Sequence, residues 1–581
     1  MRENKLKKLS KISEKNKTIT EKYYKQTLLP DYMDFYKAII EELIKSKIKT
    51  QEEVIKIARK QARIYKPKGF PSLIQILAHA NQKEFSQLKN LVTKPSRTIS
   101  GVTPIAIMTS PEPCPHGKCI TCPGGINSTF GNIPQSYTGH EPATMRGKRN
   151  NYDSYLQVFN RLEQYILLNQ SPEKVELIIM GGTFPARKES YQNEFITQAF
   201  KAMNDFSKLF FPNNELDFKK FKTFFELPTE TLNDERTKII QQKILKLKSE
   251  SLLKKEQKIN ETAKIRCVGL TIETRPDYAT EKEANLMLEQ GCTRVELGIQ
   301  SLSNKVLKKM ERGHTIEQTV QSIKVLKDLG FKINAHFMLG LPKQDNEEIY
   351  KLFTNEKFRP DMLKIYPCMV MPGTKLENLY KTNKFKPITT EEVIKILSKF
   401  KTKVPNYVRI MRTQRDIPTK FSIAGVDKTN LRQLIQKEME KMKLKCNCIR
   451  CREIKSKITN PKIKITKYIA SEGTEFFISI EQENGIIGFC RLRFPKKQLR
   501  KEITKDSAII RELHVYGKAT DIKKEGKIQH KGFGKQLMEK AEELCIKNKK
   551  KKLLVISGVG VREYYKKLGY KQDGPYVSKE L

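Results

Sequence analysis

Between Thr98 and Lys403 short apolar runs alternate with amphipathic stretches of helical period, and this alternation constrains the fold more than any other feature of the 581-residue chain. The runs are Thr103–Met108, Val175–Met180, Cys267–Glu273, Arg294–Ile299, Lys332–Leu339 and Met362–Cys368. Ser154–Leu168, Thr280–Gln290, Thr315–Leu329 and Glu391–Phe400 carry the helical spacing between them. Repeated strand–helix units build a parallel sheet, and curling six of them into a partial barrel gathers the strand C-termini around one cavity. Right-handed crossovers bring the loop after the first strand to the mouth of that cavity. The Lys-rich stretch Asn204–Thr262 interrupts the pattern and reads as an insertion with a helix of its own.

The loop after the first strand carries Cys114, Cys119 and Cys122 in the run C-P-H-G-K-C-I-T-C-P-G-G. Three thiolates this close can hold three irons of a cubane cluster and leave the fourth iron open. A zinc loop completed by another ligand, such as His116, is the alternative. The run Val175–Met180 ends in Gly181-Gly182-Thr183, where bare backbone lets a ligand lie close. Glu273, Arg275, Glu296, Gln300 and His336 put polar groups near other strand ends, which marks a lined cavity rather than a packed core.

Three further stretches flank this barrel. Residues 1–30 are Lys-rich without apolar periodicity and read as a disordered basic tail. Residues 31–97 read as a small helical module: Phe35, Ile39, Ile40, Leu43 and Ile44 recur at helical spacing, and Thr50 is placed to cap a second helix. Lys+Arg 111 against Asp+Glu 65 leaves a formal charge of +46 and a pI near 9.7. An excess this large points to a polyanionic partner, nucleic acid before membrane. No apolar run approaches the ~20 residues of a membrane span, and no secretory signal opens the sequence. Of the 11 cysteines, two groups of three suggest metal ligation in a reducing compartment, so a cytoplasmic location is expected. The second group, Cys446, Cys448 and Cys451, lies in a connector over 404–460 that lacks glycine-rich turns. It reads as a closed zinc site clamping the barrel to the C-terminal domain, with Cys368 or a distant His open as the fourth ligand.

Residues 461–581 read as a separate α/β domain. A hairpin over Glu475–Ile480 and Ile486–Phe494 precedes a strand at Ile509–Val515, a helix over Gly534–Asn548, a strand at Lys552–Ile556 and a helix over Val561–Leu568. The run Q-H-K-G-F-G-K-Q-L-M begins at Gln529, and Gly532 and Gly534 free backbone amides at a helix N-terminus, where a pyrophosphate binds well.

That order, with R-E-L-H-V before the glycine loop and R-E-Y-Y-K-K-L-G-Y after it, resembles a GCN5-related acetyltransferase domain. The motifs C-P-x-G-x-C-x-x-C-P-G-G, Q-S-Y-T-G-H-E-P, M-G-G-T-F, G-L-T-I-E-T-R-P-D, R-V-E-L-G-I-Q-S, R-G-H-T, Q-R-D-I-P, E-L-H-V-Y-G and V-I-S-G-V-G-V-R-E-Y-Y resemble the catalytic subunits of Elongator, including stand-alone archaeal-type forms. The resemblance runs over residues 32–581. It implies a 4Fe-4S cluster on Cys114, Cys119 and Cys122, with S-adenosylmethionine (SAM) against that cluster, Gly181–Thr183 and Glu273. It implies acetyl-CoA against Lys174, against the splayed strand Glu512, Leu513, His514 and Val515, and against Gln529, Lys531, Gly532, Phe533, Gly534 and Lys535. Glu512 is the candidate base; of Tyr564 and Tyr565, the second is expected to face the thioester. The implied reaction abstracts a hydrogen from the acetyl methyl and adds the carbon radical to C5 of a uracil; loss of an electron and a proton, with hydrolysis of the thioester to release CoA, leaves carboxymethyluridine at the tRNA wobble position. The basic module would then hold the anticodon arm, and accessory Elongator-type subunits or a second copy of the protein are expected partners. A protein lysine acetyltransferase with an inactive barrel is the competing function.

Overall fold

All six expected barrel strands are present, and a seventh extends the sheet. The structure is a computed structural model that describes residues 33–47, 50–67, 69–89, 91, 101–228, 234–454, 458–483, 485–516 and 532–581. The strands are β1 (Thr103–Met108), β2 (Gly125–Ser128), β3 (Gly131–Ile133), β4 (Lys174–Met180), β5 (Arg266–Thr274), β6 (Cys292–Gln300), β7 (Lys332–Leu339), β8 (Met362–Pro367) and β9 (Arg409–Arg412). The barrel sheet has the order β1-β4-β5-β6-β7-β8-β9, with each neighbouring pair parallel. Strand β9 falls in the stretch that reads as connector. Its four residues, R-I-M-R, contain no apolar run, so periodicity could not reveal it. The small hairpin β2–β3, which follows the cysteine loop, is equally without a periodic signature.

The second sheet is β10 (Lys462–Ala470), β11 (Gly473–Gln482), β12 (Gly485–Phe494), β13 (Ser507–Val515), β14 (Lys552–Val555), β15 (Lys571–Asp573) and β16 (Tyr576–Glu580), in the order β10-β11-β12-β13-β14-β16-β15. The helix Phe533–Lys547 covers one face, burying Leu537, Met538, Ala541 and Cys545 against Ile478, Ile510 and Leu553. The opposite face buries charge. Arg491, Arg493, Arg511 and Glu475 are fully enclosed and meet Lys327, Asp328 and Asp361 from the barrel. Gly558 and Gly560 complete the contact: an added Cβ would fall 2.1 Å from the Val268 carbonyl oxygen and 2.5 Å from the Arg266 Cβ. All these contacts lie at or near the strand N-termini, so the second sheet closes the barrel at the end opposite the cysteine loop. The barrel and the second sheet form one compact unit over 98–157, 173–201 and 251–581.

A second unit comprises the N-terminal module with residues 158–172 and 202–250. Helices Met33–Lys45, Gln51–Tyr65, Leu73–His79 and Gln82–Gln87 bury Phe35, Ile39, Leu43, Val54 and Leu77, and Thr50 closes a capping box with Glu53. The Asn204–Thr262 stretch contains helices of its own, Phe218–Phe224, Asp234–Leu245 and Leu253–Asn260. Its first part folds onto this module: Phe218 stacks on Phe85 at 3.9 Å, Gln82 donates to the Leu216 carbonyl at 2.8 Å, and Lys222 donates to that of Ala80 at 2.9 Å. A groove of ≈ 730 Å³ beside this contact is lined by Lys83, Lys219 and Lys222.

Candidate active site

The cysteine loop is held from three sides. Gln135 accepts the Cys114 N–H at 2.7 Å and donates to the Gly117 carbonyl at 3.2 Å, which fixes the loop before any ligand binds. The Ser136 N–H donates to Cys122 Sγ at 3.1 Å, and Arg312 approaches Cys119 Sγ at 3.5 Å. His116 lies 3.1 Å from the same sulfur. Burial pushes the Cys122 thiol up to about 11 and raises that of Cys114, while Thr183 and Arg312 pull the latter down. Burial, with Arg275 and Arg312 nearby, lowers His116 to about 4. The Ser136 N–H and the Arg312 guanidinium oppose that burial at the sulfurs, the outer-shell support that a cluster of thiolate ligands uses.

The Gly181–Thr183 turn sits against this loop. Gly181 has φ 117° and Gly182 φ 76°, both costly for any side chain. A Cβ on Gly181 would fall 2.4 Å from Thr109 Oγ1, and one on Gly182 would point at Cys114 Sγ from 3.8 Å. Thr183 Oγ1 stands 3.6 Å from that sulfur. The absent side chains leave a cradle beside the cysteines, so the residues present fit a cluster with a small molecule lying on bare backbone. Glu273 borders it and accepts from the Tyr137 hydroxyl at 2.6 Å.

In the second domain a bulge shapes the site. Arg491 pairs with Glu512 and Leu492 with Ile510, which leaves Arg511 as an extra residue. Pairing of β13 with β14 stops at Ile510 and Val555, so among the described residues Glu512–Val515 pair only with β12 and their other backbone edge opens away from β14. Such a splay admits an extended amide-bearing ligand as an added strand. Gly532, φ 78°, precedes the helix Phe533–Lys547, whose N-terminal amides face the same opening.

Several expected site residues take other places. Tyr565, expected at the thioester, is packed in the core with Tyr570, whereas Tyr564 is part-exposed and its hydroxyl lies 2.9 Å from the Cβ position of Gly534. Adjacent helix residues face different ways, and the apolar pocket took the second. Glu512 accepts from Arg491 Nε at 2.8 Å; burial works to raise its carboxyl, but Arg491, Lys332 and His514 outweigh it and hold it below its ordinary value. An ion-paired carboxylate of this kind is a poor base. Leu513 and Val515 pack towards the core, Phe533 is buried in it, and His514 packs beside Tyr516 with burial lowering it to about 4. Lys535 points along its helix to Glu539. Gln529 and Lys531 lie outside the described residues. Lys174 begins β4 beside Arg266, at the barrel end nearest the second sheet, and burial lowers its ammonium.

The sulfur atoms of Cys446, Cys448 and Cys451 lie within 4.8 Å of one another. Hydrogen bonds from Cys446 and Cys451 lower the Cys448 thiol, and the same contacts raise that of Cys446. Cys368 is elsewhere, in an apolar cluster with Ile120 and Val370, and burial pushes its thiol up to about 12. The triad bridges the two domains: Ile449 N–H bonds to the Val408 carbonyl just before β9, and Glu453 bridges to Ile486 of β12. Gln135, Tyr137 and Arg312 were not foreseen as site residues. Each lies inside a motif the sequence displays, Q-S-Y-T-G-H-E-P or R-G-H-T, but nothing in the spacing assigned them a partner.

A parallel half-barrel with a three-cysteine loop at its mouth, joined to a splayed acetyltransferase sheet, defines a radical-SAM enzyme fused to a GNAT domain. Residues 114–354 match the Radical SAM superfamily, 360–441 its C-terminal domain, 440–580 the acetyltransferase (GNAT) domain and 32–99 the ELP3 N-terminal domain. The chain is 45% identical over 565 residues to the tRNA uridine(34) acetyltransferase of Methanocaldococcus infernus, covering 94% of this chain and 98% of that one. It is 37% identical over 547 residues to Elongator complex protein 3 of Saccharomyces cerevisiae, covering 90% and 91%. The solved structure of the M. infernus Elp3 lacking its N-terminus matches at TM-score 0.67 and 41% identity, over 83% of this chain and all of that one. The chain belongs to the family of Elongator complex protein 3 and the tRNA uridine(34) acetyltransferases, enzymes of the acyltransferase class.

Proposed function

We propose that this protein carboxymethylates C5 of the wobble uridine of tRNA, using SAM and acetyl-CoA. The observation that carries the proposal is the pairing, in one compact unit, of an intact three-cysteine loop and bare Gly181-Gly182 turn with a splayed acetyltransferase strand. The names of its relatives support the same substrate. A 4Fe-4S cluster on Cys114, Cys119 and Cys122, with SAM in the Gly181–Thr183 cradle, would supply a primary carbon radical able to take a hydrogen from the acetyl methyl. Around it the protein's own residues do the rest. Arg312 and the Ser136 N–H offset thiolate charge, Glu512–Val515 offer backbone to pantetheine, and Gly532 and Gly534 open the helix N-terminus to pyrophosphate. Tyr564, rather than Tyr565, reaches the thioester end of that groove. Lys83, Lys219 and Lys222 suit phosphate contacts of the salt-dependent kind. Cys446, Cys448 and Cys451 would hold a zinc ion that ties the two catalytic domains together.

The test is anaerobic reconstitution with iron, sulfide, SAM, reductant, acetyl-CoA and tRNA, followed by digestion and mass spectrometry. Carboxymethyluridine is expected from the unsubstituted protein and none from Cys119→Ala. Product from that variant would refute the radical step. Acetylation of a lysine peptide without tRNA would favour the protein acetyltransferase.

A further inference from the structure

The barrel interior is charged where a packed core would be apolar. In one layer Glu296 of β6 is in register with Glu273 of β5 and Asn334 of β7, and His336 of β7 with Lys364 of β8. Glu296 is almost fully enclosed and takes four partners. Asn334 donates to it at 3.1 Å, Arg294 stands at 3.7 Å, Lys364 is in direct contact, and His336 donates its Nε2–H at 2.9 Å. The nearest carboxylate of Glu273 completes a cluster within 4.8 Å. Lys364 already neutralises Glu296, while Arg294 keeps its closer pair with Glu176 at 2.5 Å, so the carboxylate is left to hold an imidazole.

The other ring nitrogen is free. Among the described residues nothing bonds His336 Nδ1, and the side chain keeps 13% of its surface exposed. A carboxylate fixed on Nε2–H leaves the lone pair of Nδ1 pointing away, the arrangement of a carboxylate–histidine base. Glu273 from β5, Arg294 and Glu296 from β6, Lys364 and Tyr366 from β8 and Arg412 from β9 face this ring or its carboxylate. Burial lowers the imidazole, Lys364 lowers it further and Glu296 opposes them, so it rests in the neutral, basic form. Its place in the barrel matters as much. The layer lies between the cysteine loop at the strand C-termini and the acetyltransferase sheet at the N-termini, and carbon radical and acceptor base must meet between those two sites.

We infer that His336, positioned by Glu296, is the general base that removes the C5 proton of the uridine after the acetyl-derived carbon has bonded to C5. This rests on the function proposed above. Addition leaves C5 saturated and an unpaired electron at C6. The C5–H bond then breaks, its proton passes to His336 Nδ1, and its electron pair stays with the ring. One electron leaves for a one-electron acceptor of the iron–sulfur class, and the two that remain restore the C5–C6 double bond.

The experiment compares the reconstituted full-length protein with His336→Gln and His336→Gly on tRNA transcribed with ordinary or C5-deuterated uridine, measuring 5′-deoxyadenosine and carboxymethyluridine together. Loss of a general base is expected to slow product by ~10²–10⁴-fold while 5′-deoxyadenosine still forms. Discrimination against C5-deuterium should grow in the variants, and added imidazole should restore product to His336→Gly. Equal loss of both products, or an unchanged ratio with no isotope discrimination, would overturn the assignment. Absence of carboxymethyluridine from the unsubstituted protein would instead overturn the reading on which it rests.

Discussion

Replacing Asp361 by alanine should loosen the acetyltransferase sheet from the barrel. Asp361 has no exposed surface and accepts two bonds from Arg511, at 2.8 and 2.5 Å, and the Ile333 N–H at 2.9 Å. Arg491 and Lys327 stand 3.6 Å away. In the intact cluster Lys327, Arg491, Arg493 and Arg511 face Asp328, Asp361, Glu475 and Glu512, so cations and carboxylates balance. Removing one carboxylate strands a buried positive charge, which costs about 3–5 kcal/mol, a large share of the ~5–15 kcal/mol that holds a typical domain folded. Adding Arg511→Met removes the stranded cation, so the double variant should recover part of the loss. Equilibrium urea unfolding followed by circular dichroism reads both energies, and limited proteolysis within 404–460 reads separation of the domains. A cost below about 1 kcal/mol for Asp361→Ala, or strictly additive costs for the pair, would refute the idea that this ionic layer fastens the domains.

Acid should act on the same layer. Arg511 and its neighbouring cations outweigh burial and hold Asp361 and Glu475 below their ordinary values, so this stability is present above about pH 4–5 and drains away as pH falls further, read as a falling melting temperature. Tyr564→Phe should lower tRNA-dependent acetyl-CoA turnover by about tenfold at unchanged melting temperature, the worth of one hydrogen bond of ~1.5 kcal/mol. Tyr565→Ala should instead cost about 3–5 kcal/mol of stability, because it empties a core position. Gly181→Ala should weaken SAM binding by about tenfold in equilibrium dialysis, since the strained turn must move off Thr109. The purified protein should carry about one zinc by plasma mass spectrometry, and Cys448→Ser should lower that content and expose the connector to protease.

Much of the barrel was legible because most of its first six strands are rich in apolar residues and several end at a glycine or polar residue, such as Gly181, Gln300 and Gly340. The seventh, β9, and the edge strand β10 were not: R-I-M-R and K-I-K-I-T-K-Y-I-A alternate charge with apolar residues and gain strand identity only from their neighbours. The cysteine loop and the Gly181-Gly182 turn were readable as chemistry because thiol spacing and bare backbone are local properties. The partners of those groups were not, since Arg312 reaches Cys119 across 193 residues and no spacing rule spans that distance. Tyr564 and Tyr565 show the same limit on a smaller scale. Adjacency says that only one faces the ligand, and the shape of the core decides which. The buried ionic layer was invisible because Arg491, Arg493 and Arg511 look like the solvent face of ordinary strands, yet all are enclosed. The Asn204–Thr262 stretch holds its own helices as read, but the partner of its Phe-rich face was not legible, because Phe85 lies far away in sequence.

The central claim is that one chain makes a radical at its cysteine loop and uses it on an acetyl group held by its second domain. Isotope tracing tests it most directly. Acetyl-CoA carrying three deuteriums on its methyl should, in the presence of SAM, reductant and tRNA, place one deuterium in 5′-deoxyadenosine and leave two in the carboxymethyl group of the uridine. Doubly deuterated carboxymethyluridine formed while 5′-deoxyadenosine stays unlabelled, the third deuterium having gone to solvent, would contradict the account.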